Sequence, residues 1–376
     1  MSARELPRPP RYGSRSIADV LSSAAAATGV PGTCNALSLP AAHRYVVVLV
    51  DGLGSRLLRE VQGYAPTLRS AQPLGELDAA FPSTTSVSLS CLGTGAAPGT
   101  HGMLGYDVLD PATERVVNML GQWPADVDPL AWQPVPTVLE RAAEHVDTAT
   151  VSAPRFESSG LTRAALRGGR FVGADGVYAR TARTLEQLRE GRRGLVYFYW
   201  DELDKTGHRV GWRSDAWLRS LEELDSALKR LVTRLPANTR VLLTADHGMV
   251  DVGPEHRLDV SGEADLMDGV RHTAGEPRAV QLHLSAHADA EDVAQRWQEH
   301  FGDAVWTATR TELARAGYFG ADPDPRMLAR AGDVWILGRE EIALYDVTRQ
   351  GTRPLGMVGQ HGSLTEEERY VPALLW

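Results

Sequence analysis

Residues 45–54, YVVVLVDGLG, decide the fold. Four of the first six residues are valine, whose branched Cβ is stiff in a helix and fits a pleated surface. The run is continuously apolar and does not alternate. Both faces of such a strand must be covered, as in the centre of a parallel sheet. Asp51 follows at the carboxyl end, where open α/β sheets collect their active residues.

Two other stretches repeat this pattern. LVYFYW at 195–200 leads to Asp204, and VLLT at 241–244 leads to Asp246 and His247. Between them Trp217, Leu218, Leu221, Leu224, Leu228 and Leu231 recur at three- and four-residue spacing, which predicts an amphipathic helix. Strand, helix and strand in that order form a parallel crossover unit. The expected fold is α/β, a mostly parallel central sheet with helices on both faces.

Upstream, residues 1–40 read as a polar lead-in with one short helix over 17–27, ended by Gly29 and Pro31. Beyond residue 251 the pattern changes. AVQLHLSA (279–286) alternates, DAEDVAQRWQEHF (289–301) is helical, and DVWILGREEIALYD (333–346) reads as a hairpin-like pair with acidic residues at its turn. These predict a small α+β cap, 252–346, inserted in a core of 1–251 and 347–376 that closes with the strand YVPALLW.

At 376 residues the chain can bury one large core and still carry an insertion. A formal net charge of -9 argues against a stable nucleic-acid partner, which needs clustered Lys and Arg, but is compatible with a small anion in a metal-lined cleft. Cys34 and Cys91 are far apart and lack C-x-x-C spacing, so neither a disulfide framework nor a thiolate zinc site is expected. No stretch approaches the roughly 20 apolar residues that span a bilayer, and the lead-in is too polar for a secretory segment. The expectation is a cytoplasmic protein with no membrane partner.

The chemistry is expected at the strand ends, from Asp51, Asp204, His208, Asp246, His247 and His361. Carboxylate mixed with neutral imidazole suits zinc or manganese better than magnesium or calcium. Asp204 and His208 are four residues apart, so one helical turn puts them on one side. Asp246 and His247 are neighbours and would diverge in an extended strand unless Gly248 supplies a bend. Six ligands are too many for one tetrahedral ion and about right for two. A hydroxyl nucleophile is expected in AFPSTTSVSLSCLGTGAAPGTHG (80–102), where Pro82 and small residues suggest a loop opening into a helix whose free N–H groups favour an anion. Singly, each residue has an ordinary explanation as a cap, turn or packing residue; His101, in HGM, reads as one of these.

Taken in order, VVVLVDGLG, FPSTTSVSLSCLGTGAAPGTHGM, DKTGHRVG, LLTADHGM and GQHGS resemble the motifs of the alkaline phosphatase superfamily, in its nucleotide pyrophosphatase/phosphodiesterase branch. The resemblance runs from Tyr45 to the C-terminus and leaves out most of the cap. It implies a threonine nucleophile, Thr85, with Thr84 the alternative of a register error. It further implies two divalent metal ions, one on Asp51, Thr85, Asp246 and His247, the other on Asp204, His208 and His361, zinc being usual in the branch. The implied activity is hydrolysis of a small phosphate ester, a nucleotide among the candidates, through a covalent threonine intermediate. Phosphomonoesterase, phosphonate hydrolase, phosphomutase and a non-catalytic metal-binding sensor are the alternatives. Where many phosphodiesterases of the branch have an asparagine for the non-bridging oxygen, this chain has Tyr106, and Asn118 is a candidate to replace the amide. Arg155 and Arg170 lie in a loop-rich segment that could overhang the site and meet phosphate, solvation or pairing with acids being the more ordinary role, and Trp123, Trp132 and Phe156 could stack on a nucleobase or serve core or lid packing.

Overall fold

The computed structural model describes residues 5–190 and 193–376. Its central sheet has seven strands in the order Gln72–Asp78, Tyr370–Leu375, Thr239–Thr244, Arg44–Val50, Gly194–Trp200, Asp147–Ser152, Arg170–Gly173. Arg44–Val50 lies in the middle, parallel to both neighbours, with Leu49 opposite Tyr199 and Thr244. Its residues from Tyr45 to Val50 are wholly buried, as the unbroken apolar run requires. Parallel register brings three carboxyl ends together, so Asp51, Asp201 and Asp246 emerge at one edge. The closing strand Tyr370–Leu375 is antiparallel to both of its neighbours, which leaves the sheet mostly parallel.

Helices cover both faces. On one, Ala18–Ala27 packs against Arg44–Val50 and against Thr85–Thr94, all ten of whose residues are buried. On the other, Val177–Glu190 and the amphipathic Asp215–Val232 pack together. Asp215–Val232 turns Trp217, Leu221, Leu224, Leu228 and Leu231 inward, and Ser214 caps it by accepting the Trp217 N–H. The lead-in is tied to the sheet by Asp78, whose buried carboxylate accepts from Arg8 and Arg11, each at 2.8 Å. Among the described residues no helix is long and apolar enough to cross a membrane.

A second, antiparallel sheet has the order Val270–Glu276, Ala279–Leu284, Val334–Gly338, Val305–Thr309. Helix Ala290–Phe301 packs on it through the fully buried Trp297. The expected hairpin within 333–346 does not form. Val334–Gly338 pairs inside this sheet, whereas Ala343–Tyr345 pairs in parallel with Arg257–Asp259. The cause is Arg278, a fully buried guanidinium that donates to the carbonyls of Gly338, Glu340 and Ile342. It takes the acceptors that a hairpin ladder would need. Phe81 joins the two sheets, its ring centroid 4.8 Å from that of Tyr318 and 5.1 Å from that of Trp335. The segment leading to Thr85 is therefore anchored on both sides.

Candidate active site

The site is built from three strand ends, one helix turn and one returning loop. Asp51 and Asp246 end adjacent parallel strands, and His247 follows Asp246. Asp204 and His208 share the short helix Glu202–Val210, and His361 lies on the loop after Gly359–Gln360. The structure brings the six into two groups, Asp51 with Asp246 and His247, and Asp204 with His208 and His361. In the first, His247 Nε2 stands 3.3 Å from Asp51 Oδ1 and 3.4 Å from Asp246 Oδ2. In the second, His208 Nε2 is 3.2 Å and His361 Nε2 3.9 Å from the Asp204 carboxylate. The imidazoles of His247 and His361 stack at 3.6 Å between centroids, so the groups adjoin.

Asp246 and His247 converge because the backbone bends at Asp246, whose Oδ1 accepts the His247 and Gly52 N–H groups at 3.1 Å. Gly248 is required for another reason than the expected bend. A Cβ there would lie 1.8 Å from the Glu367 carbonyl oxygen, so glycine permits the close approach of the 366–369 turn.

All three imidazoles are oriented alike. Nδ1 of His247, His208 and His361 donates to the carbonyls of Gly248, Gly359 and Ser83 at 2.9, 2.7 and 2.9 Å. This leaves Nε2 as the atom that faces the carboxylates, the arrangement of metal-ligating histidines once Nε2 is deprotonated. The carboxylate side is also unfinished. Asp51 Oδ1, Asp246 Oδ2 and Asp204 Oδ1 are buried and accept no hydrogen bond among the described residues. Buried anionic oxygens without donors are costly unless a cation answers them. The donor set therefore fits two divalent cations.

Electrostatics point the same way. Burial drives the Asp246 carboxyl well above the usual range, and the charge of Asp51 beside it adds to the effect. Burial opposes charge on His247, but Asp246 and Asp51 overcome it and raise the ring to about 10. His361 is held well below its ordinary value, first by burial and then by the His247 charge, which keeps its lone pair free. The site traps positive charge.

Thr85 opens helix Thr85–Thr94, with Thr84 at the N-cap. Its hydroxyl is 3.1 Å from His247 Nε2, and the first-turn N–H groups of its helix have no acceptor within the helix. Two cavities meet at this residue. One, of about 250 Å³, runs past Leu89, Phe156, Tyr197 and Tyr199 to Arg155 and Lys205. The other, of about 280 Å³, runs past Tyr106, Glu276, Pro277 and Gln350. Thr85, Leu120 and Asp204 line both, whereas Thr84 lines the second alone.

Tyr106 lines the second cavity, partly exposed. Asn118 lines neither, and its amide donates to Asp107 at 2.8 Å. Arg155 and Phe156 line the first cavity, with Arg155 paired to Asp201 at 2.5 Å. Arg170 is bonded to Gln187, and neither it nor Trp123 or Trp132 lines either cavity; the two tryptophans pack edge to face in the core. Sequence reasoning missed Tyr199, whose hydroxyl donates to Asp51, and Glu276. Tyr199 carried a signal, since it alternates with Tyr197 on one face of the strand that ends beside Asp51.

The mostly parallel sheet flanked by helices is an alkaline phosphatase-like α/β fold. The chain belongs to the type I phosphodiesterase/nucleotide pyrophosphatase family, whose model matches residues 45–364. Among solved structures it is similar to murine ectonucleotide pyrophosphatase/phosphodiesterase 5, an inactive variant in complex with AMP. That match has a TM-score of 0.69 at 14% identity and covers 88% of this chain and 87% of that one. It is also similar to phosphonoacetate hydrolase from Sinorhizobium meliloti 1021 in complex with phosphonoacetate, with a TM-score of 0.68 at 18% identity, covering 88% and 89%. Phosphopentomutase of Anaeromyxobacter dehalogenans (strain 2CP-C) is 36% identical over 121 residues, 31% of this chain. The match spans 28% of that relative's length.

Proposed function

We propose that the protein hydrolyses small phosphodiesters or nucleotide pyrophosphates through a transient ester on Thr85. The observation that carries this reading is the place of Thr85, whose hydroxyl is 3.1 Å from His247 and which lines both cavities together with Asp204. A diester has two substituents to house and a monoester only one.

In this reading Asp51, Asp246 and His247, with Thr85, hold one divalent cation and Asp204, His208 and His361 the other, zinc being favoured and manganese the alternative. Bound there, the cations supply Lewis acidity and neutralise phosphate charge. Thr85 Oγ1 attacks phosphorus in line, forming one P–O bond as that to the leaving oxygen breaks. The proton that threonine loses balances the one that the leaving alcohol gains. The N-terminus of helix Thr85–Thr94 favours the anion at that point. The Asp246 and His247 backbone contacts and the Tyr199 bond to Asp51 hold the ligands in place. Water then cleaves the threonine ester, and two inversions give net retention at phosphorus. Residues 252–346, taken as a cap, wall the Tyr106 side of the cleft through Glu276 and Pro277.

The test compares bis-p-nitrophenyl phosphate with p-nitrophenyl phosphate on zinc- or manganese-loaded protein. The diester is expected to turn over faster, and Thr85→Ala should lower its kcat at least about 10³-fold while metal content stays constant. An unaffected rate would exclude the threonine ester. The matches to a phosphonate hydrolase and a phosphomutase favour a second reading on the same site, which turnover of phosphonoacetate or transfer between pentose positions, with no diester cleavage, would select.

A further inference from the structure

The Tyr106 cavity holds one side chain that cleavage at Thr85 does not use. Glu276, the last residue of strand Val270–Glu276, is 4% exposed. Its Oε2 accepts the Tyr106 N–H at 2.8 Å, while its Oε1 is buried and accepts nothing among the described residues. Gln350 Oε1, on the same lining, is likewise buried and without a donor. Gln360, also on the lining, cannot answer them, because its amide donates to the Tyr345 hydroxyl at 2.8 Å and the Met357 carbonyl at 3.0 Å. Neither lysine nor arginine lines this cavity. The nearby Arg349 is paired with Asp107 and Arg278 with Glu368.

The carboxyl is held in place from behind. Gly362 follows His361, and a Cβ there would stand 2.5 Å from Glu276 Cγ. Glycine at 362 lets Glu276 press against the loop that carries His361, so the group belongs to the wall of the cleft. Burial, with Asp107 adding, holds the carboxyl well above the ordinary glutamate range, so its charged, accepting form is the one that a cationic donor on the ligand favours. A buried carboxyl oxygen that nothing in the protein answers is matched by a donor on the ligand.

We propose that Glu276 is the specificity residue of this cavity: it accepts a hydrogen bond from an ammonium or hydroxyl group on one substituent of the phosphodiester and turns away substituents that carry a second anionic group. The proposal rests on the phosphodiesterase reading. It divides the cleft into an aromatic lobe with Arg155 and Lys205 at its rim and an acceptor-rich lobe without a cationic side chain of Lys or Arg.

Three p-nitrophenyl diesters test it, with a propyl, a 3-aminopropyl or a 2-carboxyethyl second substituent, on the metal-loaded full chain. Expected kcat/KM falls from aminopropyl to propyl to carboxyethyl, with at least about a tenfold step between the first two. Glu276→Gln keeps an acceptor for the Tyr106 N–H, and in it the aminopropyl to propyl ratio should fall to within about twofold. Equal ratios in the two proteins would overturn the proposal. A structural role alone would lower all three rates together and leave the ratio unmoved. Should Glu276→Gln not fold, Gln350→Lys in the otherwise unaltered chain places a cation beside Glu276 and is expected to put carboxyethyl ahead of aminopropyl; an unchanged order counts against the idea. Calorimetric binding of the same diesters to Thr85→Ala, with and without Glu276→Gln, separates the two readings. Absence of turnover of every diester defeats the phosphodiesterase reading, while the binding ratio still decides the role of Glu276.

Discussion

The tripeptide His-Gly-Met occurs twice, at 101–103 and at 247–249, and the two copies differ in almost everything but sequence. Both histidines and both methionines are fully buried. In the first copy His101 Nδ1 accepts the Met103 N–H at 3.2 Å, which leaves Nε2 to carry the proton and donate to Cys91 Sγ at 3.2 Å. In the second, Nδ1 donates to Gly248, and Nε2 faces Asp51 and Asp246. Burial alone holds His101 down at about 3; at His247 the carboxylates outweigh the same burial and lift the ring to about 10. The glycines differ too. Gly102 is needed for a left-handed backbone (φ 74°), Gly248 for room beside the Glu367 carbonyl. An imidazole's chemistry is thus set by what faces it, since its neighbours in sequence are the same here.

The sharpest way to break this contrast is to truncate each ring. His247→Ala removes a buried ligand that faces two carboxylates, and kcat/KM for a diester should fall on the order of 10³-fold, with metal content reduced. His101→Ala should leave kcat/KM of the folded protein near that of the unaltered chain and lower its thermal stability by about 1–3 kcal/mol, the cost of a buried bond and ring lost. Equal losses of activity would mean that the two copies are not separate in function.

A smaller effect tests the support behind the ligand. Tyr199→Phe removes the hydroxyl that donates to Asp51 and should weaken metal binding about 10–100-fold, read by competition with a chromogenic chelator. Mass action then predicts that excess zinc restores the rate. A rate loss that added zinc cannot restore would assign the tyrosine to the reaction itself.

The sequence distinguished the two copies because of what precedes them. His247 follows VLLT and Asp246, a strand ending in an acid, and His101 follows GAAPGT, a turn. The same reasoning placed Asp51 after its valine run and Asp204 and His208 one turn apart, because strand ends and helical spacing are local properties. What stayed hidden depends on distant approach. Glu276 sits in GEPR, and only the fold sets it against Gly362 and the Tyr106 backbone. The 333–346 stretch reads as a hairpin by its own pattern, and the guanidinium that prevents it comes from Arg278, in the turn between Val270–Glu276 and Ala279–Leu284. Asn118 offered the right amide, but Asp107 engages it outside both cavities.

The contrast also predicts opposite pH signatures, the smallest effect per step. For His101 the folded ring takes no proton until about pH 3, whereas in the unfolded chain it titrates at an ordinary 6.5. Between those values the unfolded state binds more protons, so stability falls as pH drops, by about 1.4 kcal/mol per pH unit. For His247 in protein stripped of divalent cations, the folded value of about 10 lies above the unfolded one. Its contribution is fully present below 6.5 and is lost as pH rises toward 10. Urea denaturation of the chelated protein across pH 4–9 should therefore show an acid limb that His101→Asn flattens and an alkaline limb that His247→Asn flattens. Zinc requires the deprotonated Nε2, so loading the site should abolish the alkaline limb and leave the acid one in place. If His101→Asn left the acid limb as steep as before, the buried ring beside Cys91 would have to take up a proton within the fold, and the difference between the copies would be one of geometry alone.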